Sequence, residues 1–419
     1  TVDPGRAALA ALVRTARAEQ TVGAVRLVDI AADADDTAAV AAVRSAPGED
    51  VSAVRDGGAH VQRLRPVPEP DALTVPREIL PVGGTALLTG GLGGIGREVA
   101  GYLLSALGAR LLLTGRTPEA GLGGERREAL EEFRELGEVA YVSVDAAEGP
   151  ALEAAVADAE RRWGRPLDAV FHLAGADVRD HWDALEAHAL TAETADGLAA
   201  MMRPKAGGAQ ALEGLLAARP GTAAVLFSSV NGFFGGSSFG AYAAANAALD
   251  GYAERWAAEG RAVRSIAWSM WDRTGMNEGS PLAAAARHRG LRGIDPARGV
   301  QLLLAALARP ETCLLAGPDP ANAYIAPYVT GVRRRGPAGP ARAAYSPPEG
   351  ELEREVAAVW EDVLGVERVG RDDTFFVLGG DSLRVMRMIG RLNERFAAAL
   401  PVSAVYDHPT VRALAAVLS

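Results

Sequence analysis

Through the middle of the chain, short continuous apolar runs alternate with amphipathic stretches of helical period. Residues 85–89 form an apolar strand, followed by a Gly-rich turn and a helix over 97–107. Strands recur at 110–114, 140–144, 169–173, 223–227 and 262–267, with helices at 125–136 and 151–163. Strands without polar alternation are buried on both faces, and the intervening helices supply the cover. The pattern predicts an α/β fold over 79–318, a doubly wound Rossmann-type parallel sheet. Before it, a helix at 6–20 and strand-like runs at 24–30, 51–55 and 60–64 read as a partial N-terminal α/β lobe over 1–78. The Pro-rich segment 66–70 marks its boundary. Residues 319–348 are rich in Pro, Gly, Ala and Arg and read as a linker. Residues 349–419 carry helical patterns only, with Leu352, Val356, Val359, Trp360 and Val363 as one stripe and 382–396 and 410–418 repeating it. A small four-helix bundle is expected there.

Composition narrows the classes. Of 419 residues, 49% are hydrophobic and 23% charged, which fits folded domains, two or three at about 150 residues each. A formal charge of −10 argues against a nucleic-acid surface. The basic run Arg333, Arg334, Arg335 falls in the linker. One cysteine, Cys313, excludes a disulfide framework and a Cys-based zinc site, and no metal is expected. In the apolar run 312–316 it reads as a buried, inert thiol. No run reaches membrane-spanning length and no signal peptide opens the chain, so a cytoplasmic protein without a membrane partner is expected. The chain opens at Thr1 with no domain-like beginning and reads as a piece of something longer. Its Ala, Gly and Arg content suggests a GC-rich bacterial genome.

The run Thr89-Gly-Gly-Leu-Gly-Gly-Ile-Gly96 lies between a strand and a helix. Glycines there permit a tight turn and let backbone N–H groups approach a pyrophosphate at the helix N-terminus. The second strand ends Thr114-Gly115-Arg116. An acidic residue there would favour NAD; Arg116 offers a cation for a 2′-phosphate, so NADPH is expected. Asp145, after the third strand, could reach the adenine or serve as a turn former.

Thr89, Gly90, Gly94 and Gly96, then His172-Leu-Ala-Gly175, Phe227-Ser-Ser229 and Tyr242-Ala-Ala-Ala-Asn246 resemble the short-chain dehydrogenase/reductase superfamily. The longer run from Tyr242 to Asp250 resembles the ketoreductase domains of modular polyketide and peptide synthetases. The resemblance covers residues 24–318. It implies a catalytic tetrad of Lys205, Ser229, Tyr242 and Asn246. It implies cofactor contacts at Thr89, Gly90, Gly91, Leu92, Gly94, Ile95, Gly96, Gly115, Arg116, Asp145, Ala146, Ala174 and Gly175. Reduction of a carbonyl needs a hydride on carbon and a proton on oxygen. Tyr242 would donate the proton. Lys205 would lower the phenol pKa, directly or through Asn246 and water, and Ser229 would stabilise the oxygen. The markers of stereochemical class depart from the family: Ala176-Asp-Val-Arg179 follows the His motif, and Phe234 stands eight residues before Tyr242. The hydroxyl configuration is therefore open. Residues 275–290 are expected to form a substrate lid, with Met276 at its entrance.

The segment Thr374-Phe-Phe-Val-Leu-Gly-Gly-Asp-Ser-Leu383 resembles a phosphopantetheine attachment site, and Tyr406-Asp-His-Pro-Thr-Val411 the closing element of carrier proteins. Ser382 would carry a 4′-phosphopantetheine arm added by a phosphopantetheinyl transferase. The double glycine is more typical of peptidyl carriers. The first expectation is therefore a depsipeptide-type nonribosomal peptide synthetase module that reduces a tethered α-ketoacyl thioester to an α-hydroxyacyl thioester. Adenylation, condensation or thioesterase domains would lie upstream or downstream. The second is β-ketoacyl reduction in a polyketide or hybrid synthase. The third is a non-reducing scaffold for the carrier, against which the intact tetrad argues.

Overall fold

The computed structural model describes residues 3–19, 25–30, 35–45, 50–55, 58–70, 73–179, 185–274, 282–330, 345–380 and 382–418. The strands are β1 (Leu27–Ile30), β2 (Val51–Arg55), β3 (Gly58–Val61), β4 (Thr85–Thr89), β5 (Arg110–Gly115), β6 (Val139–Ser143), β7 (Ala169–His172), β8 (Ala223–Ser229), β9 (Val263–Trp268) and β10 (Cys313–Ala316). Helices α1 (Pro4–Glu19) and α2 (Asp36–Ser45) belong to the opening region. Between them and the C-terminal region lie α3 (Gly94–Leu107), α4 (Gly124–Leu136), α5 (Gly149–Trp163), α6 (Ala195–Met202), α7 (Gly208–Ala217), α8 (Val230–Phe234), α9 (Gly240–Ala258), α10 (Ala283–His288), α11 (Pro296–Leu307) and α12 (Ala326–Thr330). The last four are α13 (Gly350–Leu364), α14 (Ser382–Phe396), α15 (Ala404–Asp407) and α16 (Val411–Leu418).

Strands β4 to β10 form one parallel sheet in the order β10-β9-β8-β7-β4-β5-β6. Strands β4 and β8 are buried along their whole length. Alternate side chains feed opposite layers: Leu87 and Leu112 join one core, while Leu88, Leu111 and Leu113 join the other. A strand buried on both faces has no polar position, which is why its sequence reads as an unbroken apolar run. The strand order turns at β4, and the crevice at its carboxyl end is where such sheets take ligands.

Two boundaries differ from the sequence expectation. The opening region is not a lobe apart. A three-stranded sheet in the order β1-β2-β3 is present, but α1 lies against α9 of the large domain. Ala8 packs with Ala244 and Ala248, and Ala11 with Ala243 and Ala247. Alanines on both faces allow the two backbones to approach closely. A Cβ on Gly251 would stand 2.8 Å from Pro4 Cα. The expected linker is also shorter at its start. Ile325 is buried with Phe233 and Phe234, and Leu64 N–H donates to the Tyr328 carbonyl at 2.8 Å. Residues 319–330 thus complete the large domain, because Ile325 fills this core and Tyr328 packs against it. The arginines at 333–335 and Met276 lie outside the described residues.

Helices α13 to α16 close a separate core around Trp360, Phe375, Val385 and Leu392, as expected for the four-helix bundle. Trp360 meets Phe375 edge-on at 5.0 Å.

Candidate active site

The turn after β4 is built for close approach. Gly90 has φ +73°, and a Cβ there would lie 3.1 Å from Ala174 Cα. A Cβ on Gly96 would come within 2.6 Å of the Gly90 carbonyl oxygen. No larger residue fits either position. Helix α3 starts at Gly94 without a side-chain cap, so its first N–H groups and positive dipole end face the cleft. This glycine cradle fits a dinucleotide pyrophosphate.

The cleft is about 540 Å³. Of the expected cofactor contacts, Gly90, Leu92, Gly94, Ile95, Gly96, Gly115, Arg116, Asp145, Ala146, Ala174 and Gly175 line it. Thr89 and Gly91 do not: they are buried behind the turn and shape it. A Cβ on Gly91 would reach within 2.8 Å of Leu113 Cδ2. Arg116 is exposed on the cleft wall, where Arg126 adds a second guanidinium that sequence reading did not identify. Asp145 is already engaged. One oxygen accepts from Ala147 N–H at 2.9 Å and the other from Arg203 at 3.1 Å. Burial works against the Asp145 charge, but these two donors hold its carboxyl below the usual range. The turn-forming role is therefore realised in the structure.

Lys205, Ser229 and Tyr242 share the same cleft, and Asn246 is fully buried one turn behind Tyr242. Ser229 ends β8 and caps α8, accepting from Asn231 N–H at 3.3 Å. Asn246 Nδ2 donates to the Tyr242 carbonyl at 2.8 Å, while its Oδ1 is buried without a hydrogen-bond partner among the described residues. Lys205 stands in a π-helical turn, Arg203–Gly207, a local widening of the helix, and its side chain is buried. Its ammonium donates to the Phe227 carbonyl at 2.7 Å. Burial lowers the Lys205 pKa to about 8, with Asp250 pulling the other way. The expected depression of the Tyr242 phenol is not found. Burial pushes it up, and hydrogen bonding from Ser229 only opposes that shift.

Two groups escaped the sequence reading. His172 is fully buried, with Nδ1 2.7 Å from Thr89 Oγ1 and Nε2 3.3 Å from the Lys205 carbonyl. It ties the cofactor turn to the lysine turn. A Cβ on Gly208 would stand 2.5 Å from the His172 ring, which explains the second glycine after Lys205. Asp250 accepts from Ser228 Oγ at 3.0 Å and from Ser265 Oγ at 2.6 Å. Ser228 Oγ also lies 3.1 Å from the Asn246 carbonyl, so this cluster pins α9 to the end of β8. Burial raises the Asp250 pKa to about 7. The signal was present in the Tyr242-to-Asp250 run, but nothing in one dimension shows what a buried aspartate faces.

Cys313 is partly buried in β10, its Sγ 3.8 Å from the Asp250 carbonyl, and burial pushes the thiol up, in line with an inert group. No group of metal-ligating side chains occurs among the described residues, and no described helix is long and apolar enough to cross a membrane.

In the bundle, Ser382 is the first residue of α14. The double glycine before it has a local cause. Gly379 has φ +96°, and a Cβ on Gly380 would fall 2.2 Å from Phe375 Cδ1. Gly379 answers a left-handed backbone and Gly380 a packing limit of this bundle, so the pair does not by itself mark a peptidyl carrier.

Comparison with known proteins agrees with this geometry. Residues 84–273 match the family described as KR domain, and residues 354–418 that described as phosphopantetheine attachment site. The spectinabilin polyketide synthase system protein NorA of Streptomyces orinoci is 36% identical across 98% of this chain, which spans 23% of that relative. The solved PlmKR1 ketoreductase, from the first module of phoslactomycin biosynthesis in Streptomyces sp. HK803, is 30% identical with a TM-score of 0.65. The match covers 79% of this chain and 74% of that one. An adenylation, ketoreductase and pseudo-Asub structure of a keto acid-selecting nonribosomal peptide synthetase module also aligns, at 26% identity and TM-score 0.65, over 78% of this chain and 27% of that one. The ketoreductase family uses NADPH, and the attachment domain takes 4′-phosphopantetheine. With this fold, this cradle and these relatives, the chain belongs to the ketoreductases of modular polyketide synthases, an oxidoreductase domain followed by a carrier domain.

Proposed function

We propose that this chain reduces a β-ketoacyl thioester, carried on Ser382 through a 4′-phosphopantetheine arm, to the β-hydroxyacyl thioester. The observation that carries the reading is the similarity of both domains together, across nearly the whole chain, to polyketide synthase proteins. The proximity of Lys205, Ser229 and Tyr242 supports it.

Bound NADPH supplies the hydride to the carbonyl carbon. Tyr242 donates its phenol proton to the carbonyl oxygen, and its burial keeps that proton in place until it is needed. Ser229 Oγ–H donates to the same oxygen and holds its growing charge. Lys205, fixed by the Phe227 carbonyl in the same cleft, would supply a cation toward the phenolate as the proton leaves. Asn246 holds the α9 backbone at Tyr242 and keeps an acceptor, Oδ1, for a water between the lysine and the phenol. A phosphopantetheinyl transferase and neighbouring synthase domains would serve the carrier.

The α-keto reading remains as a second one. It is favoured by the likeness to the keto acid-selecting module and weakened by the local backbone and packing causes of the double glycine. The test loads Ser382 of the full chain with a β-ketoacyl- or an α-ketoacyl-pantetheine arm, adds NADPH and weighs the arm. A gain of about 2 Da on the β-keto arm, slowed at least about 100-fold in Tyr242→Phe, is expected. A gain on the α-keto arm alone would replace this reading with the second.

A further inference from the structure

The carrier bundle touches the large domain at one edge of the cleft. Leu185 and Ala189 form a small buried apolar cluster, against which Phe239, Leu282 and the carrier's Met386 pack. Phe239 and Leu282 also line the cleft. Beside them Arg387 is ion-paired with Glu186. A second anchor lies on α10. The His288 ring stacks on Phe376 at 5.2 Å and meets Tyr406 at 5.5 Å, and Phe376 and Tyr406 stack on each other at 5.0 Å.

Helix α10 therefore has two faces. Ala285, Ala286 and the following Arg289 look into the cleft, while His288 looks onto the carrier. The carrier side of the contact includes Met386 and Arg387, one turn beyond Ser382 on α14. A contact centred there sets α14 at the cleft rim, beside Phe239 and Leu282.

We infer that the strip 185–189 and helix α10 are the docking surface for this chain's own carrier, and that docking braces α10 as the wall of the substrate cleft. The inference rests on the proposed reduction of a tethered ketone. The apolar contact supplies the attraction, the Glu186–Arg387 pair sets register, and the His288 stack couples the carrier to α10.

The test uses the full chain with Glu186→Arg, Arg387→Glu and the double swap; both side chains are at least partly exposed, so folding is spared. Reduction of the Ser382-tethered β-ketone is followed in single turnover, alongside turnover of a free β-ketoacyl thioester. Each single reversal should slow the tethered reaction about five-fold or more and leave the free one within about two-fold, and the double swap should restore the tethered rate. Wild-type rates in the single variants, equal losses on both substrates, or no recovery in the swap would each overturn the docking surface. Backbone hydrogen exchange of 185–189 and 283–290 provides a readout independent of chemistry. It should speed up in Arg387→Glu, and unchanged exchange overturns the inference. If the wild type reduces neither substrate, the proposed function fails, and exchange still decides the docking surface.

Discussion

His172 shows how much one buried side chain can connect. Its ring joins Thr89, at the end of β4, to the carbonyl of Lys205, and it must stay neutral to accept from one and donate to the other. Burial lowers its pKa from 6.5 to about 4. The unfolded chain therefore binds a proton that the folded chain refuses between those values. The contribution to stability is full above pH 6.5 and is lost as pH falls toward 4, about 3 kcal/mol in all. Urea unfolding across that window should show a steeper decline in the wild type than in His172→Asn; parallel declines would contradict the strut. Asp250 and Lys205 make a related point. Two buried groups of opposite sign, each shifted toward neutrality by burial, are tied to the end of β8, Lys205 through the Phe227 carbonyl and Asp250 through Ser228.

At the scale of elements, the helix that carries Tyr242 and Asn246 is held by its small residues. Helix α9 is buried nearly all round, and alanines face α1 without a gap. Helix α1 also reaches the loop before α9. Glu19 accepts from Ser238 N–H at 2.8 Å and from Leu190 N–H at 2.8 Å, and Arg14 donates to the Phe233 carbonyl at 2.6 Å. Ala11 is fully buried at this seam. Ala11→Leu should overfill it, costing about 1–3 kcal/mol in denaturant unfolding, and should slow ketone reduction more than NADPH binding. Unchanged stability would mean that α1 is not seated on α9. The same logic separates legible from hidden elements. The strands of the parallel sheet were readable as apolar runs. The seating of α1 was not, because an alanine face suits close packing against any smooth partner.

For the whole molecule, the sheet cores and the carrier core share no buried residue. The docking contact is small and partly exposed, so it adds little to the stability of either domain. Calorimetry should resolve two transitions. Trp360→Ala removes a fully buried side chain and should cost the carrier about 3–5 kcal/mol, leaving the ketoreductase transition in place. A joint shift of both would show that the domains unfold as one.

The sequence by itself determined the α/β alternation, the glycine turn and the ketoreductase-plus-carrier class, and it singled out Lys205, Ser229, Tyr242, Asn246 and Ser382 as candidates. Each is written in local spacing: period along an element, or residues whose chemistry is specific at short range. It leaned toward a peptidyl carrier because Gly379 and Gly380 could be read as a family mark. The fold shows them to be a left-handed position and a site with no room for a Cβ beside Phe375. Only the tertiary structure decided the roles of His172 and Asp250, the seat of α1, the return of residues 319–330 to the core and the carrier contact at the cleft rim. These depend on which surfaces meet across long stretches of chain, and burial and charge at such meetings arise only once the chain has folded.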